Sequence, residues 1–190
     1  MTSIDLWQKP ILITGALDAI AEHIVRELSE AGAFLILTDA KSDAEGLSII
    51  ESWKIRPSRY VYRQMDVTNS SEVEAVVHDM MNRYSNLDTV LGHAGGCGLH
   101  PFAETSEADF DRIFKFNYLA QTYLARAFVT QWLRRKVAGH LIFTSSYVAH
   151  IPHTRIPAYA TAKAALEHLT RCLALEYAPA GIRVNAISPG

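Results

Sequence analysis

A chain of 190 residues, 49% of them hydrophobic, is long enough to bury one sizeable core, and residues 1–190 read as a single domain without repeat, linker or low-complexity segment. Its formal charge of -2, with both signs interspersed, gives no electrostatic footing for nucleic acid or for an anionic membrane. No apolar run reaches membrane-span length, the opening "MTSIDLWQKP" lacks a signal peptide's apolar core, and Cys97 and Cys172 make neither a disulfide framework nor zinc-ligand spacing, so the expectation is a cytoplasmic protein.

Short apolar or β-branched runs alternate with longer segments of helical period, the pattern of a parallel sheet with crossover helices. The first strand is predicted at 10–14 (PILIT), followed by the loop "TGALDAIA" and a helix over 19–31. Ile20, Ile24 and Leu28 recur at four-residue spacing to pack that helix on the sheet, and Gly32 stands at its end. Backbone N–H groups left free between Gly15 and Ala19, together with the helix dipole, form a site for phosphate anions. The second strand, 34–38 (FLILT), ends at Asp39, 24 positions after Gly15, near the spacing of the acid that binds an adenosine ribose. A carboxylate there repels a 2′-phosphate, Asp18 makes the loop more acidic, and only Lys41 stands nearby, so NAD is favoured over NADP. Taken alone, Asp39 is more simply a turn residue.

A helix over 43–54 leads to a strand at 59–65 (RYVYRQM), ending at Asp66-Val67, where a carboxylate and an apolar surface would flank an adenine. A helix over 71–84 and a strand at 87–91 (LDTVL) lead into Gly92-His93-Ala94-Gly95. One long helix, 107–136, is closed by Gly139; a strand at 140–145 (HLIFTS) runs into Ser146; a helix covers 159–178; and a sixth strand, 182–187 (IRVNAI), precedes Ser188-Pro189-Gly190. Ligands of open parallel sheets bind outside the carboxyl ends of the strands. All six of these ends are polar or carry glycine, although turns favour the same residues.

The strongest signal is "YATAK". Tyr159 and Lys163 stand at i and i+4 of a helix and share one face, where a lysine cation would lower the tyrosine pKa and fit the phenol for proton transfer. Ser146, thirteen residues earlier at a strand end, would hydrogen-bond a substrate oxygen.

With these residues assembled, the chain resembles the short-chain dehydrogenase/reductases in their compact single-domain branch. The resemblance runs from Lys9 to Gly190 and rests on Thr14-Gly15, "DVT" at 66–68, "HAG" at 93–95, Asn117 in "FKFNYLA", "TSS" at 144–146, "YATAK" at 159–163 and "VNAISPG" at 184–190. It implies a Rossmann-type doubly wound sheet and hydride transfer between NAD(H) and an alcohol or ketone. Tyr159 would be the general acid/base, Lys163 its partner and the holder of the nicotinamide ribose, Ser146 the group that polarises the substrate oxygen, and Asn117 the holder of a relay water. Gly15, Leu17, Asp18, Ala19, Ile20, Asp39, Asp66, Val67, His93, Ala94, Gly95, Pro189 and Gly190, with Tyr159 and Lys163, would contact the cofactor. A homodimer or homotetramer through the two long helices is implied in the same way.

The family loop reads Thr-Gly-x-x-x-Gly-x-Gly, whereas Ala19 and Ala21 stand at its later glycines here, and His93 replaces the second asparagine of Asn-Asn-Ala-Gly. If position 19 required a positive φ, alanine would cost roughly 1–2 kcal/mol. Ala21 bears rather on helix–strand packing, and His93 leaves the support of its loop in doubt. Family members continue beyond "SPG", so a fragment lacking the seventh strand and substrate lid is expected, with Ile182–Ile187 as an apolar edge. The rival readings are a binding or regulatory protein that has lost productive cofactor binding, an inactive fragment, and a structural subunit of a larger assembly; a sugar-nucleotide epimerase fits less well. His150 and His153 are read as loop residues of a substrate pocket rather than metal ligands, Arg155 as solvated, and Cys97 as an unactivated loop thiol.

Overall fold

The computed structural model describes residues 5–190. Six parallel strands form one sheet: β1 (Pro10–Thr14), β2 (Phe34–Asp39), β3 (Tyr60–Gln64), β4 (Thr89–Gly92), β5 (His140–Thr144) and β6 (Arg183–Ile187), in the spatial order β3-β2-β1-β4-β5-β6. The helices are α1 (Ala19–Glu30), α2 (Asp43–Ser52), α3 (Ser70–Arg83), α4 (Glu107–Phe114), α5 (Ala120–Arg135) and α6 (Pro157–Tyr177).

Alternation along the central strands decides which face each helix covers. Ile11, Ile13, Leu35 and Leu37 point to one side and join Val25 of α1 and Ile50 of α2. Leu12 and Ile36 point to the other and join Val77 of α3, Phe128 and Trp132 of α5 and Leu166 of α6. Both faces are thus apolar and covered, which is why the strand segments read as continuous hydrophobic runs. The strand order turns at β1 and β4, so the crevice between their carboxyl ends is where this architecture receives a ligand.

Four sequence expectations are corrected. Ile20 is 54% exposed, while α1 buries Ala21 and Val25 with Ile24 and Leu28 partly covered, so the stripe that meets the sheet lies one position on. Gly139 does not serve as a helix cap: Lys136 takes the left-handed conformation at the end of α5, φ +56°, and a Cβ on Gly139 would collide with the Trp132 ring. The long helix 107–136 is not continuous. Lys115–Leu119 form a π-helical turn between α4 and α5, a feature frequent at functional sites. Asn117 lies inside it, fully buried, and its Nδ2 donates to Ile113 O at 3.0 Å. β6 alternates rather than forming a uniformly apolar edge, with Val184 buried and Arg183 and Asn185 exposed.

Candidate active site

The loop after β1 is anchored before it reaches α1. Gly15 adopts φ +63°, and a Cβ there would stand 2.6 Å from Ala94 Cα. Only glycine therefore lets this turn pass so close to the end of β4. Thr14 Oγ1 accepts the N–H groups of His93 at 3.2 Å and Ala94 at 3.3 Å, tying the two strand ends together. Ala19 is the first residue of α1 and is exposed, and its φ is not positive, so the strain considered for that position does not arise. Ala21 is fully buried where α1 meets the sheet, the packing position anticipated for it. Leu17 is half-buried, and Asp18 and Ile20 are exposed at the mouth of the crevice.

Asp39, Asp66 and Val67 end β2 and follow β3, and with Gly15, Ala94 and Phe116 they line a small cavity of about 70 Å³. Asp66 Oδ1 accepts from the N–H and hydroxyl of Thr68, both at 2.8 Å, making a local turn; the cap of α3 is Asn69. Hydrogen bonds from Ser42 hold the Glu45 carboxyl below its ordinary pKa, and the Lys41 charge adds to that effect.

On the other side of the crevice, Lys163 is 2% exposed, and its Nζ donates to Thr144 O at 2.8 Å while lying 5.5 Å from the Tyr159 ring centroid. Burial lowers its pKa to about 8. The expected lowering of the Tyr159 pKa is not what this arrangement produces. Burial pushes the phenol up, the neighbouring Ser146 hydroxyl acts the other way, and Cys97 adds to the rise. The lysine cation sits over the ring and is engaged by the Thr144 carbonyl, so desolvation dominates. Ser146 is 9% exposed, and its Oγ accepts the Val148 N–H at 3.5 Å.

Asn117 closes the site from the π turn. Its Nδ2 donates to Gly96 O at 2.8 Å and its Oδ1 accepts the Gly96 N–H at 3.0 Å. A Cβ on Gly95 would fall 2.9 Å from Asn117 Oδ1 and 3.1 Å from Lys163 Nζ, so both polar ends border that glycine. His93, whose support was in doubt, is held at both ring nitrogens: Nδ1 pairs with Thr144 Oγ1 at 3.0 Å and Nε2 with Asp18 at 3.1 Å.

Sequence reasoning missed Glu167. This acid is 7% exposed on α6, where Oε1 accepts the Ser145 hydroxyl at 2.8 Å and the Ser188 hydroxyl at 2.7 Å; its Oε2 lies 2.8 Å from His150 Nε2. It ties the ends of β5 and β6 to the helix carrying Tyr159. The available signal was an acid at i+4 from Lys163, between the buried Leu166 and Thr170. Pro189 O accepts the Tyr147 N–H at 3.0 Å, while Gly190 is exposed. His153 bonds the Thr154 carbonyl at 2.9 Å, and Arg155 is exposed. A larger cavity of about 670 Å³, lined by Trp7, Arg26, Gly32, Trp53, Lys54 and Arg59 among others, lies by the amino ends of the strands, away from this chemistry. Among the described residues no cluster of His, Cys, Asp and Glu has the makings of a metal site, and no helix is long and apolar enough to cross a membrane.

The crevice fits a nicotinamide dinucleotide by its own construction: a glycine turn without a Cβ at the start of α1, a carboxylate closing β2, and a buried lysine below Tyr159. Comparison with known proteins agrees. The family described as short chain dehydrogenase matches residues 9–190. The NAD-dependent glycerol dehydrogenase of Listeria innocua is 29% identical over 185 residues, covering 97% of this chain and 71% of that protein. Oxidoreductase UcpA of Escherichia coli is 34% identical over 183 residues, covering 96% of this chain and 68% of that protein. A short-chain type dehydrogenase/reductase from Mycobacterium marinum superposes with a TM-score of 0.89 at 29% identity, covering 99% of this chain and 76% of that one. The chain belongs to the short-chain dehydrogenases, NAD(P)-dependent oxidoreductases acting on CH–OH groups.

Proposed function

We propose that this chain interconverts a secondary alcohol and its ketone with NAD(H), using Tyr159, Ser146, Lys163 and Asn117. The observation that carries the reading is that Lys163 Nζ and Asn117 Oδ1 both border Gly95, with the ammonium 5.5 Å from the Tyr159 ring centroid. A buried ammonium, held here by the Thr144 carbonyl, carries a desolvation cost, and a buried group perturbed in this way beside a tyrosine in a crevice favours a role in proton transfer.

The bound nicotinamide supplies the acceptor or donor of hydride; alignment and proton movement fall to the protein. In ketone reduction, Tyr159 gives its phenolic proton to the oxygen that becomes the alcohol. Its raised pKa keeps that proton in place at neutral pH. Ser146 Oγ donates to the same substrate oxygen and orients it. Lys163 stabilises the phenolate left behind, and Asn117 holds the path by which the proton is replaced. In alcohol oxidation the same residues run in reverse, and one proton is released. Gly15, Ala94 and the start of α1 hold the diphosphate, Asp39 the adenosine ribose, Asp66 and Val67 the adenine edge, and Pro189 and Gly190 border the nicotinamide end. NAD is preferred because Asp39, at the end of β2, repels a 2′-phosphate.

The test is a titration with NADH and NADPH, read by nicotinamide fluorescence and thermal melting. NADH at about a hundredfold excess over its Kd stabilises the fold by about 2.7 kcal/mol. Saturable binding with NADH preferred upholds the reading, and no binding to a folded chain removes it.

A further inference from the structure

The phosphate loop carries a carboxylate–imidazole contact that the proposed reaction does not use. Asp18 is the N-cap of α1, and its Oδ1 accepts the Ala21 N–H at 2.7 Å. His93 Nε2, from the end of β4, lies 3.2 Å from Oδ1 and 3.1 Å from Oδ2 of the same carboxylate. A carboxylate only accepts, so Nε2 carries a proton and donates it. The other nitrogen faces the Thr144 hydroxyl at 3.0 Å. That hydroxyl donates to a neutral imidazole or accepts from an imidazolium, so the ring is satisfied in either charge state without moving. The His93 side chain is 3% exposed and that of Asp18 is 53% exposed.

The groups around His93 are few. Asp18 faces it from the β1–α1 loop, and Lys163 approaches through Thr144, whose carbonyl it bonds. Thr14 on β1 and Gln121 on α5, which donates to Ala94 O, are neutral. Cys97 lies in the loop that follows, and Asp39 and Asp66 border the adjoining cavity.

A diphosphate drawn to the start of α1 meets the Asp18 carboxylate there, and two anions at one helix end repel. We infer that Asp18 and His93 form a proton-coupled positioning pair for the dinucleotide diphosphate. With His93 charged, the pair is neutral overall and the anion is accepted. With His93 neutral, the loop keeps the full charge of Asp18 and affinity falls. The inference rests on the dinucleotide reading above. By linkage, binding takes up a proton wherever the free protein holds His93 neutral and the complex holds it charged. Across that window the Kd for NADH rises by up to about tenfold per pH unit.

The experiment is calorimetric titration of the full chain with NADH from about pH 6 to about pH 9, in buffers of different ionisation enthalpy, which counts protons directly. Uptake approaching one proton in the native chain, lost in both Asp18→Asn and His93→Asn, supports the pair. Asparagine caps a helix as well as aspartate, so Asp18→Asn removes the charge and keeps the cap. This variant also binds NADH more tightly at the alkaline end and flattens the dependence of Kd on pH. Asp18 is exposed, so its variant decides the matter if His93→Asn does not fold. Uptake that survives unchanged in Asp18→Asn does not depend on the pair and overturns the inference. Binding without proton uptake overturns the inference and leaves the dinucleotide reading standing. Absence of binding overturns both.

Discussion

Around Lys163 buried polar ends are engaged: its ammonium on Thr144 O, Asn117 on both backbone groups of Gly96, and Glu167 on two serine hydroxyls. The loop at the end of β1 is built differently. Asp18, Ala19 and Ile20 are exposed there, and one glycine, Gly15, carries the conformational demand that a three-glycine loop distributes. The catalytic side is thus preorganised by buried hydrogen bonds that tolerate little exchange of residue type. The cofactor side is held by backbone course and the hydrogen-bonded Asp18–His93 contact, and its exposed position 19 accepts alanine. Of the departures from the family pattern, Ala19 is exposed, whereas Ala21 and His93 are buried, the latter held at both ring nitrogens.

The sharpest way to break this contrast is Tyr159→Phe. Loss of the phenolic proton removes general acid catalysis, a drop in turnover of roughly 10²- to 10⁴-fold, with NADH affinity within about twofold of the native chain. Steady-state kinetics beside a fluorescence titration would check it. An equal fall in both quantities would place Tyr159 in the architecture instead.

How much of this was legible beforehand follows the same division. Ile11, Leu12 and Ile13 announce a strand buried on both faces, and "YATAK" places two side chains one helical turn apart whatever surrounds them. The π turn at Lys115–Leu119 was not legible, since its residues keep an ordinary helical period and the turn is stabilised by tertiary bonds from Asn117 to Gly96. The direction of the Tyr159 shift was missed for a related reason: spacing gives the distance to a lysine but not the burial of both groups. His93 looked like a weakened loop residue until its partner Asp18, 75 positions away, came within 3.1 Å.

Gly15→Ala tests the claim that one glycine holds the loop. The left-handed conformation costs a Cβ-bearing residue roughly 1–2 kcal/mol, and its collision with Ala94 forces the turn away from β4. We expect a clear fall in melting temperature and at least about a tenfold loss of NADH affinity. A variant that melts and binds like the native chain would show that the close approach is not required.

The catalytic side has its own pH signature. Lys163 titrates at about 8 in the free protein, below an unfolded lysine, so its cation is lost as pH rises through that value. The kcat/KM for ketone reduction, which reports the free enzyme, should fall by up to about tenfold per pH unit above it. For stability the sign is opposite. Between about 8 and the ordinary lysine value the unfolded chain binds more protons, so the penalty of burying the ammonium is relieved and Lys163 contributes to stability rising with pH. A Lys163→Met variant, which has no such titration, should lose both slopes while remaining folded.

The smallest effect belongs to Ala19→Gly, and its smallness is the point. If the family glycine at this position were needed for a positive φ, restoring it would recover affinity; the helical, exposed Ala19 has no such strain to release. Glycine would instead loosen the first turn of α1, by less than the ~1 kcal/mol it costs inside a helix. NADH affinity should therefore change by less than about threefold, since 1.4 kcal/mol is needed for a factor of ten. Ala21→Gly differs in one respect: Ala21 is fully buried, so losing its methyl opens a gap between α1 and the sheet and lowers the melting temperature more than Ala19→Gly does. A large gain in affinity from Ala19→Gly would mean that its Cβ meets a phosphate oxygen directly. The loop would then be limited by steric contact with its ligand rather than by the charge of Asp18.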